Sequence, residues 1–369
     1  MINTKQIVGA TRSIFAFVLG FQQFGYVAIM LDSGINGAQI ALLLSLNVLF
    51  TIIFLFLVLV RSHFKHAMTI SYLVSAQVFL VLLLYPHLYG FLVNSVLIGF
   101  SNATFASIII QVAGFTKKEM SWYMTLSLLL SGSGVAYFYL SSKIPIDYLI
   151  VGLYIIMLIN SLIASKVPIT SKDINLKESV KTIVKAPLLV TIFGGSFRRV
   201  VLTNLLPVII YEILRVGLLS VTPYYVLLTV LPLPFLFFSY KLSNKAFLGV
   251  SFIVGVLVIF LGEAKTLLPL IALLVGLKAL YALRGPVAEY AIIHYVRGST
   301  RVFSGIELIN NLFTFSITVI LSAVIYLGDY FALFIFLFFI EVIDGIVIYK
   351  ILREVEIREN SEKNTQASG

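Results

Sequence analysis

Charged side chains that lie inside long apolar segments are the residues of this sequence most able to do chemistry. They concentrate in the second half of the chain, at Arg198, Arg199, Lys278, Arg284, Glu289, Glu307, Glu341 and Asp344. An ionisable group inside a membrane-spanning segment is costly, so each one is a candidate functional residue. The first half offers neutral amides instead, and Gln23 and Asn102 are the candidates there. This distribution predicts cations that bind an anionic or zwitterionic solute and amides that hydrogen-bond to it.

Two arginines lie about half-way along the apolar segment that follows Pro187. Adjacent residues point roughly 100° apart on a helix, so Arg198 and Arg199 cannot both face the same cavity. We predict that one of them binds the solute while the other pairs with a carboxylate or with a helix end. The alternative is that both arginines form structural ion pairs.

Another cation occurs in the tenth apolar segment. Lys278, Tyr281 and Glu289 share one helical face there, because their spacings are close to whole turns of a helix. We predict that Lys278 and Tyr281 line the binding cavity and that Arg284 and Glu289 form a gate nearer the end of the helix. Gly285-Pro286 is predicted to break this helix, because proline removes a backbone donor.

The clearest polar stripe follows in the next segment, where polar residues recur at three- and four-residue spacing: Ser304, Glu307, Asn310, Asn311, Thr314 and Thr318. Such a stripe faces protein or water rather than lipid. Glu307 is the carboxylate predicted to bind and release protons, with Glu341 of the last segment as the second choice. Asn310 and Asn311 are assigned to the stripe and to gating. The alternative is that the stripe supplies hydrogen bonds between helices.

Composition excludes several kinds of site. The chain has no cysteine, which excludes disulfides, thiolate metal sites and cysteine nucleophiles. It contains no HExxH motif and no Walker A motif, so we expect no metal, no cofactor and no enzyme activity. The formal charge of +10 arises mainly in short loops, where it sets membrane orientation, so no nucleic-acid partner is expected.

The overall composition is that of a polytopic membrane protein. Of 369 residues, 60% are hydrophobic and 11% are charged, against roughly 25% charged residues in soluble domains. Apolar runs of about 20 residues repeat along the chain, which predicts an all-α membrane protein with about twelve transmembrane helices. Basic residues concentrate in alternate loops and in a lysine-rich linker. Both termini are therefore expected on the cytoplasmic side of the plasma membrane.

The linker divides the chain into two bundles of six predicted helices each. The assignment is an N-terminal bundle at 1–165, a cytoplasmic linker at 166–187, a C-terminal bundle at 188–352 and a disordered cytoplasmic tail at 353–369. Short matches connect the two halves, since Ser71–Ser75 resembles Ser251–Gly255, and Gly99 corresponds to Gly276. They recur at an offset of about half the chain, as a parallel internal repeat predicts.

Six plus six helices around a cytoplasmic linker, with a parallel repeat, resemble the major facilitator superfamily over essentially the whole chain. The loop Val60–His66 keeps the basic residues of that family's signature loop and lacks its Asp and Gly. The resemblance implies a central cavity lined by the first, fourth, seventh and tenth helices. It implies a secondary active transporter that moves a small organic solute by alternating access. We expect it to act as a monomer in the lipid bilayer, with protons as the coupling ion.

Two alternatives stay open. A multidrug or hydrophobic-compound exporter of the same fold would use the aromatic side chains, which make up 14% of the sequence. A polytopic membrane enzyme is the other alternative, although its acid and base residues would be expected together near one membrane interface. The sequence leaves the cargo and the direction of transport open.

Overall fold

The computed structural model describes residues 4–61, 66–112, 117–166, 186–214, 217–296, 300–327 and 330–367. Within these ranges the regular secondary structure is helical and contains no β-strand. Residues 167–185, which form most of the predicted linker, lie outside the described residues. The all-α fold class predicted from the apolar segments is confirmed.

Fifteen α-helices are present in the described residues. Those of the first half are α1 (Thr4–Phe21), α2 (Val27–Asp32), α3 (Gly37–Arg61), α4 (Ala67–Leu84), α5 (Leu88–Val112), α6 (Lys117–Tyr139) and α7 (Ile146–Ala164). Those of the second half are α8 (Ala186–Arg199), α9 (Leu206–Leu214), α10 (Leu218–Val230), α11 (Leu233–Phe238), α12 (Asn244–Glu263), α13 (Leu267–Tyr295), α14 (Thr300–Leu327) and α15 (Tyr330–Ala367).

Ten helical stretches of the described residues are long and apolar enough to cross a bilayer. Two further regions, α5 and the α8–α9 pair, are helical over comparable lengths. The count of about twelve transmembrane helices is consistent with this and stays a prediction. Because successive spans alternate in direction, α3, α7 and α13 end at one face of the bundle, which we call the linker face. Helices α2, α4 and α9 end at the other, which we call the opposite face.

The helices pack as two groups that meet along two seams. In the first half α1 packs against α6, α3 against α5, and α4 against both α5 and α7. In the second half α12 packs against α13 and α15, and α8 packs against α14 and α15. The halves meet where α3 packs against α14 and where α6 packs against α10. These seams leave the space between α1, α8 and α13 in the middle of the molecule.

Two glycines explain how closely α1 and α6 approach each other. A Cβ atom added at Gly20 of α1 would lie 1.9 Å from the carbonyl oxygen of Ser131. One added at Gly134 of α6 would lie 1.9 Å from the carbonyl oxygen of Phe17. The two backbones are therefore in direct contact, which is the packing that small residues allow between membrane helices.

A turn of π-helix interrupts the first span of each half at corresponding positions. One turn, Gln22–Tyr26, lies between α1 and α2, and the other, Val200–Asn204, lies between α8 and α9. The two π-turns are equally long, and both their first and their last residues are 178 positions apart in the sequence. Single π-turns inside α-helices occur frequently at functional sites. The shared position is what a parallel internal repeat predicts.

The C-terminal tail differs from the sequence expectation. In place of a disordered segment after residue 352, α15 continues as a helix to Ala367. Its extension stays apolar on one side, where Leu352 and Val355 pack with Phe247 of α12 and Ala291 of α13. The expectation rested on the polar composition of the tail, which gives no weight to a few apolar residues at helical spacing.

Candidate functional site

A cavity with a volume of about 210 Å³ is present, and all of its lining residues belong to the second half. Its walls come from α8, from the second π-turn and from α13, and the lining residues are Arg198, Leu202, Thr203, Leu274, Leu277, Lys278, Tyr281 and Gly285. Three of the residues predicted to bind a solute, Arg198, Lys278 and Tyr281, therefore line one cavity. A Cβ atom added at Gly195 or Gly285 would meet nothing within 4 Å, so both glycines border open space.

Helix α13 forms one wall without the predicted break. It runs as one α-helix from Leu267 to Tyr295, and Pro286 lies inside it. Proline removes one backbone hydrogen bond and can still be held in a helix when neighbouring helices pack around it. Pro286 and the residue after it, Val287, are buried in the second half. Tertiary packing explains why the prediction of a broken helix at Gly285-Pro286 was wrong.

The cavity is closed toward the opposite face by contacts between the two π-turns. The Gln23 side-chain amide donates to the Thr203 carbonyl oxygen at 2.9 Å and to the Tyr225 hydroxyl at 3.0 Å. The ring of Phe24 lies 4.2 Å from that of Tyr225. Beyond this point the side chains of both π-turn helices are buried, from Phe24 to Met30 in the first half and from Leu205 to Ile210 in the second. Gln23 thus joins the two halves at the floor of the cavity.

The cavity is open toward the linker face. Arg199 and Glu289 are exposed there, and Arg12 of α1 is partly exposed. Both arginines interact electrostatically with Glu289, which places the three side chains around one mouth. No ion pair joins Glu289 to either arginine in the described part of the chain. Glu289 therefore lies nearer the entrance than Lys278, because α13 ends at the linker face.

Behind the cavity wall lies a group of four charged side chains that we call the charge cluster: Arg198, Arg284, Glu341 and Asp344. The Arg198 Nε donates to Glu341 Oε1 at 2.7 Å, and its Nη2 donates to Asp344 Oδ2 at 2.6 Å. Arg284 donates from Nη1 to Glu341 Oε2 and from Nη2 to Asp344 Oδ2, both at 2.5 Å. The Tyr281 hydroxyl also donates to Glu341 Oε1, at 2.8 Å.

Burial separates the members of the cluster. The side chain of Arg198 is 23% exposed, whereas those of Arg284, Glu341 and Asp344 are at most 1% exposed. Two cations and two carboxylates give a net charge of zero, which is how buried charges are normally tolerated. The sequence placed Arg284 in a gate near a helix end, but the structure places it in the interior behind the cavity, with its guanidinium 5.5 Å from the Phe247 ring centre.

Lys278 is the cation of the cavity without a carboxylate partner in the described part of the chain. Its Nζ lies 5.6 Å from the centre of the Tyr225 ring, a cation–π distance. The side chain is only partly exposed, so its charge acts in a confined space. Lys278 therefore leaves the cavity with one positive charge that the neighbouring protein does not neutralise.

The polar stripe of α14 lies outside this cavity and contacts its neighbours through hydrogen bonds. Ser196 of α8 donates to Asn310 Oδ1 at 2.6 Å, which connects α8 to α14. Asn311 Nδ2 donates to Glu307 at both its backbone oxygen, at 2.8 Å, and its carboxylate Oε1, at 3.2 Å. Glu307 is half-buried and has no cation partner among the described residues. Its proton-coupling role stays a prediction.

A further predicted site residue lies outside this cavity, and three residues near the cavity had no predicted role. Asn102 of α5 is exposed and is not part of the lining of this cavity. Tyr225 and Thr203 contact Gln23 at the cavity floor. Neither residue is predictable as a site residue from the sequence, because no charge or motif marks it. Asp344 was among the candidate charged residues of the sequence, but no specific role was predicted for it. Among the described residues, no three His, Asp or Glu side chains come together in a way that could hold a metal ion.

The fold and this cavity can be compared with known proteins. No protein-family model matches the chain, and no curated protein sequence matches it. Among solved structures, the crystal structure of the human organic anion transporter MFSD10 (TETRAN) matches with a TM-score of 0.63. The match covers 94% of this chain and 98% of that chain at 11% sequence identity. At this identity the similarity shows the fold, and the chain has the fold of the major facilitator superfamily.

Proposed function

We propose that this protein is a secondary active transporter that moves a small organic anion, or a zwitterion bound through its anionic group, across the cell membrane. The observation that carries the proposal is that two cations, Lys278 and Arg198, line one cavity of the second half. Lys278 has no neutralising partner in the described part of the chain. A bound anion would supply the missing charge and would receive charge-assisted hydrogen bonds, which are stronger than neutral ones.

The size of the cavity favours a small solute. The cavity has a volume of about 210 Å³. Pockets for drug-sized ligands start at about 300 Å³. A cavity of this size favours small carboxylates and amino acids over large lipophilic compounds. The two cations also disfavour lipophilic cations, so the hydrophobic-compound exporter ranks second.

The closed floor and open mouth support alternating access. Gln23 holds the π-turns together at the cavity floor, while the exposed side chains of Arg199 and Glu289 lie on the linker-face side of this contact. Rocking of the halves about their two seams would open the floor and close the mouth. The excess of basic residues in loops of the linker face supports a cytoplasmic location for that face, in the plasma membrane. We take the protein to be a monomer, as the sequence predicts.

Proton coupling belongs to the same proposal. The predicted carboxylates, Glu307 and Glu341, both lie within the helical bundle of the second half. Titration of either would let solute movement follow a proton gradient. The solved structure that matches this fold is named as an organic anion transporter, and an anionic solute for the present chain agrees with that name.

The first test is a thermal-stability screen of the purified protein with methanesulfonate, L-lactate, L-glutamate, glucose and tetraphenylphosphonium. A compound at 100 times its dissociation constant should stabilise the protein by about 2.7 kcal/mol. Stabilisation is expected with the anions and with glutamate. Lys278→Gln should weaken their binding by about tenfold to a hundredfold, since hydrogen bonds to charged groups contribute about 1.5–3 kcal/mol.

The matched control is Lys241→Gln. Lys241 is a cation at the linker face that lies over the rings of Phe238 and Tyr240, away from the cavity. It should leave the thermal shifts with anions unchanged. A shift with tetraphenylphosphonium alone, or anion shifts that persist in Lys278→Gln, would contradict the proposed anion site.

A further inference from the structure

Arg198 belongs to two sites at once. It lines the cavity together with Lys278, and it donates three hydrogen bonds into the charge cluster, two to Glu341 and one to Asp344. With 23% of its side chain exposed, it is the member of the cluster that water or a solute can reach. An anion bound by Lys278 therefore competes with two carboxylates for the same guanidinium.

The charge balance of the cluster depends on Arg198. With it, two cations face two carboxylates and the net charge is zero. If Arg198 turns to an anion in the cavity, Arg284 remains alone with Glu341 and Asp344, both almost completely buried. That leaves one uncompensated negative charge in the interior, which is costly enough that a buried group takes up a proton instead.

One oxygen atom is placed to accept that proton. Glu341 uses both of its oxygens, which accept from Arg198, Arg284 and Tyr281. Asp344 accepts both of its hydrogen bonds at Oδ2, and its buried Oδ1 has no partner in the structure. A buried acceptor without a donor is the natural position for a new O–H bond.

The charged groups that face Asp344 come from the helices packed around it, and they support Asp344 as the site of protonation. Arg198 of α8, Arg284 of α13 and Glu341 of α15 itself act on it electrostatically. Tyr281 of α13 reaches the cluster through Glu341. Helices α12 and α14 also carry charged residues in the described part of the chain, namely Lys245, Glu263 and Glu307. None of these three acts electrostatically on Asp344. Arg198 is thus the one cation around Asp344 that also reaches the cavity.

We propose that Arg198 couples the solute to a proton through Asp344. This inference rests on the proposed anion site. When an anion binds, Arg198 moves from the carboxylates to the anion, and a proton from water in the cavity forms an O–H bond at Asp344 Oδ1. When the anion leaves on the other side, Arg198 returns, the O–H bond breaks and the proton passes to water on that side. One anion and one proton then move together in the same direction, which is symport, and each step keeps the cluster neutral.

The direct test needs no solute. Arg198→Gln and Arg198→Met imitate the state in which Arg198 has left the cluster. Reconstituted in lipid bilayers at pH 7, each variant should show the infrared carbonyl stretch of one protonated carboxylic acid per protein. The wild type and Arg198→Lys, which keeps the positive charge, should lack this band. Two replacements of different polarity protect the test against a folding failure of one of them.

A second pair of variants identifies the carboxylic acid. Adding Asp344→Glu to Arg198→Gln should shift the band, because the protonated group is then a glutamic acid, and adding Asp344→Asn should remove it. Absence of the band from the folded Arg198 variants would overturn the proposal. A band that Asp344→Glu leaves in place would overturn the assignment to Asp344.

Coupling is then measured in proteoliposomes with methanesulfonate, an anion that stays ionised in water and does not cross bilayers as an acid. A pH gradient, acid outside, should make the wild type accumulate methanesulfonate, and Asp344→Asn should lose this accumulation. Uptake that ignores the pH gradient would overturn the coupling proposal. Failure of methanesulfonate both to bind and to enter would instead count against the anion site, while the infrared result still decides the behaviour of the cluster.

Discussion

The two halves share one fold but differ in their interiors. Both contain a π-turn at corresponding positions, 178 residues apart. The buried polar side chains in the described part of the first half are all neutral, and one of them, Asn160, donates to the Thr11 carbonyl oxygen at 3.0 Å. The second half contains the charge cluster. The two halves thus share a scaffold, and the charge cluster lies in only one of them among the described residues.

This asymmetry has a physical meaning for alternating access. A half that is held by neutral hydrogen bonds and close backbone contacts has one stable internal arrangement. A half with a buried charge cluster has an arrangement that depends on whether each charge has its partner. In the mechanism proposed above, the second half is therefore the one that responds to a solute and to protons.

The largest expected effect comes from breaking the charge cluster. Arg284→Met leaves Arg198 with two buried carboxylates, and removing one partner of a buried ion pair costs about 3–5 kcal/mol. The measurement is the thermal unfolding of the purified variant against the wild type. Adding Asp344→Asn removes the excess negative charge and should recover part of the loss. A double variant no more stable than Arg284→Met would contradict the account based on charge balance.

The next effect tests the close packing of the first half. Gly134→Ala would place a Cβ atom 1.9 Å from the Phe17 carbonyl oxygen, so α1 and α6 must separate. Overpacking of this kind costs about 1–3 kcal/mol. The matched control is Gly195→Ala in α8, where nothing lies within 4 Å and the added methyl group should favour the helix by up to about 1 kcal/mol. Equal losses of thermal stability in both variants would contradict the prediction that α1 and α6 are more tightly packed than α8 is around Gly195.

A third prediction concerns the contact between the halves. Gln23→Leu removes two hydrogen bonds, to Thr203 and to Tyr225, each contributing about 0.5–1.5 kcal/mol. The floor should open more often, and the population of the open state should rise about tenfold for each 1.4 kcal/mol lost. The chain has no cysteine, so a single Ala28→Cys replacement reports opening through its labelling rate with a membrane-impermeant maleimide.

The control for the Gln23→Leu labelling experiment is the same replacement at the neighbouring residue, Gln22. Gln22 lies in the same π-turn and makes no hydrogen bond to the second half in the described part of the chain. Gln22→Leu should leave the labelling rate of Ala28→Cys close to that of the parent. If both glutamine variants accelerate labelling equally, the effect belongs to the π-turn as a whole and not to the Gln23 contacts.

The sequence predicted the fold because apolar length and loop charge are strong local signals. It also selected Arg198, Lys278 and Tyr281, since charged and polar residues at mid-depth in apolar segments are rare. Their convergence on one cavity depends on how α8 and α13 are rotated, and periodicity fixes only which residues share a face. The depth of Arg284 was missed because nearness to a helix end was taken as nearness to water.

Asp344 shows that the sequence does not predict which side chains meet between distant helices. Its spacing of three residues from Glu341 places both carboxylates on one face of α15, which the sequence states directly. Their partners come from α8 and α13, more than fifty residues away in the chain, and only the packed structure brings four charges within hydrogen-bonding distance. The same holds for the contact between Gln23 and Thr203, since neither residue type marks a contact between two π-turns.

The smallest expected effect concerns the ends of the two halves, which also differ. Helix α7 ends at Ala164, whereas α15 extends to Ala367 and carries an ion pair between Glu354 and Arg358, with 3.7 Å between oxygen and nitrogen. Both side chains are largely exposed, and exposed pairs at this spacing contribute about 0.3–0.5 kcal/mol. Glu354→Gln should therefore change the thermal stability by no more than that amount.

Val355→Ala is the variant with which the loss of the Glu354–Arg358 ion pair is compared. Val355 is 6% exposed and packs in the apolar group that contains Phe247. Because its burial removes apolar surface from water, its truncation should cost more than the loss of the exposed ion pair. Amide hydrogen exchange over residues 353–358 measures both effects. If Glu354→Gln opens the extension more than Val355→Ala does, the extension is held by its charges and not by packing against the second half.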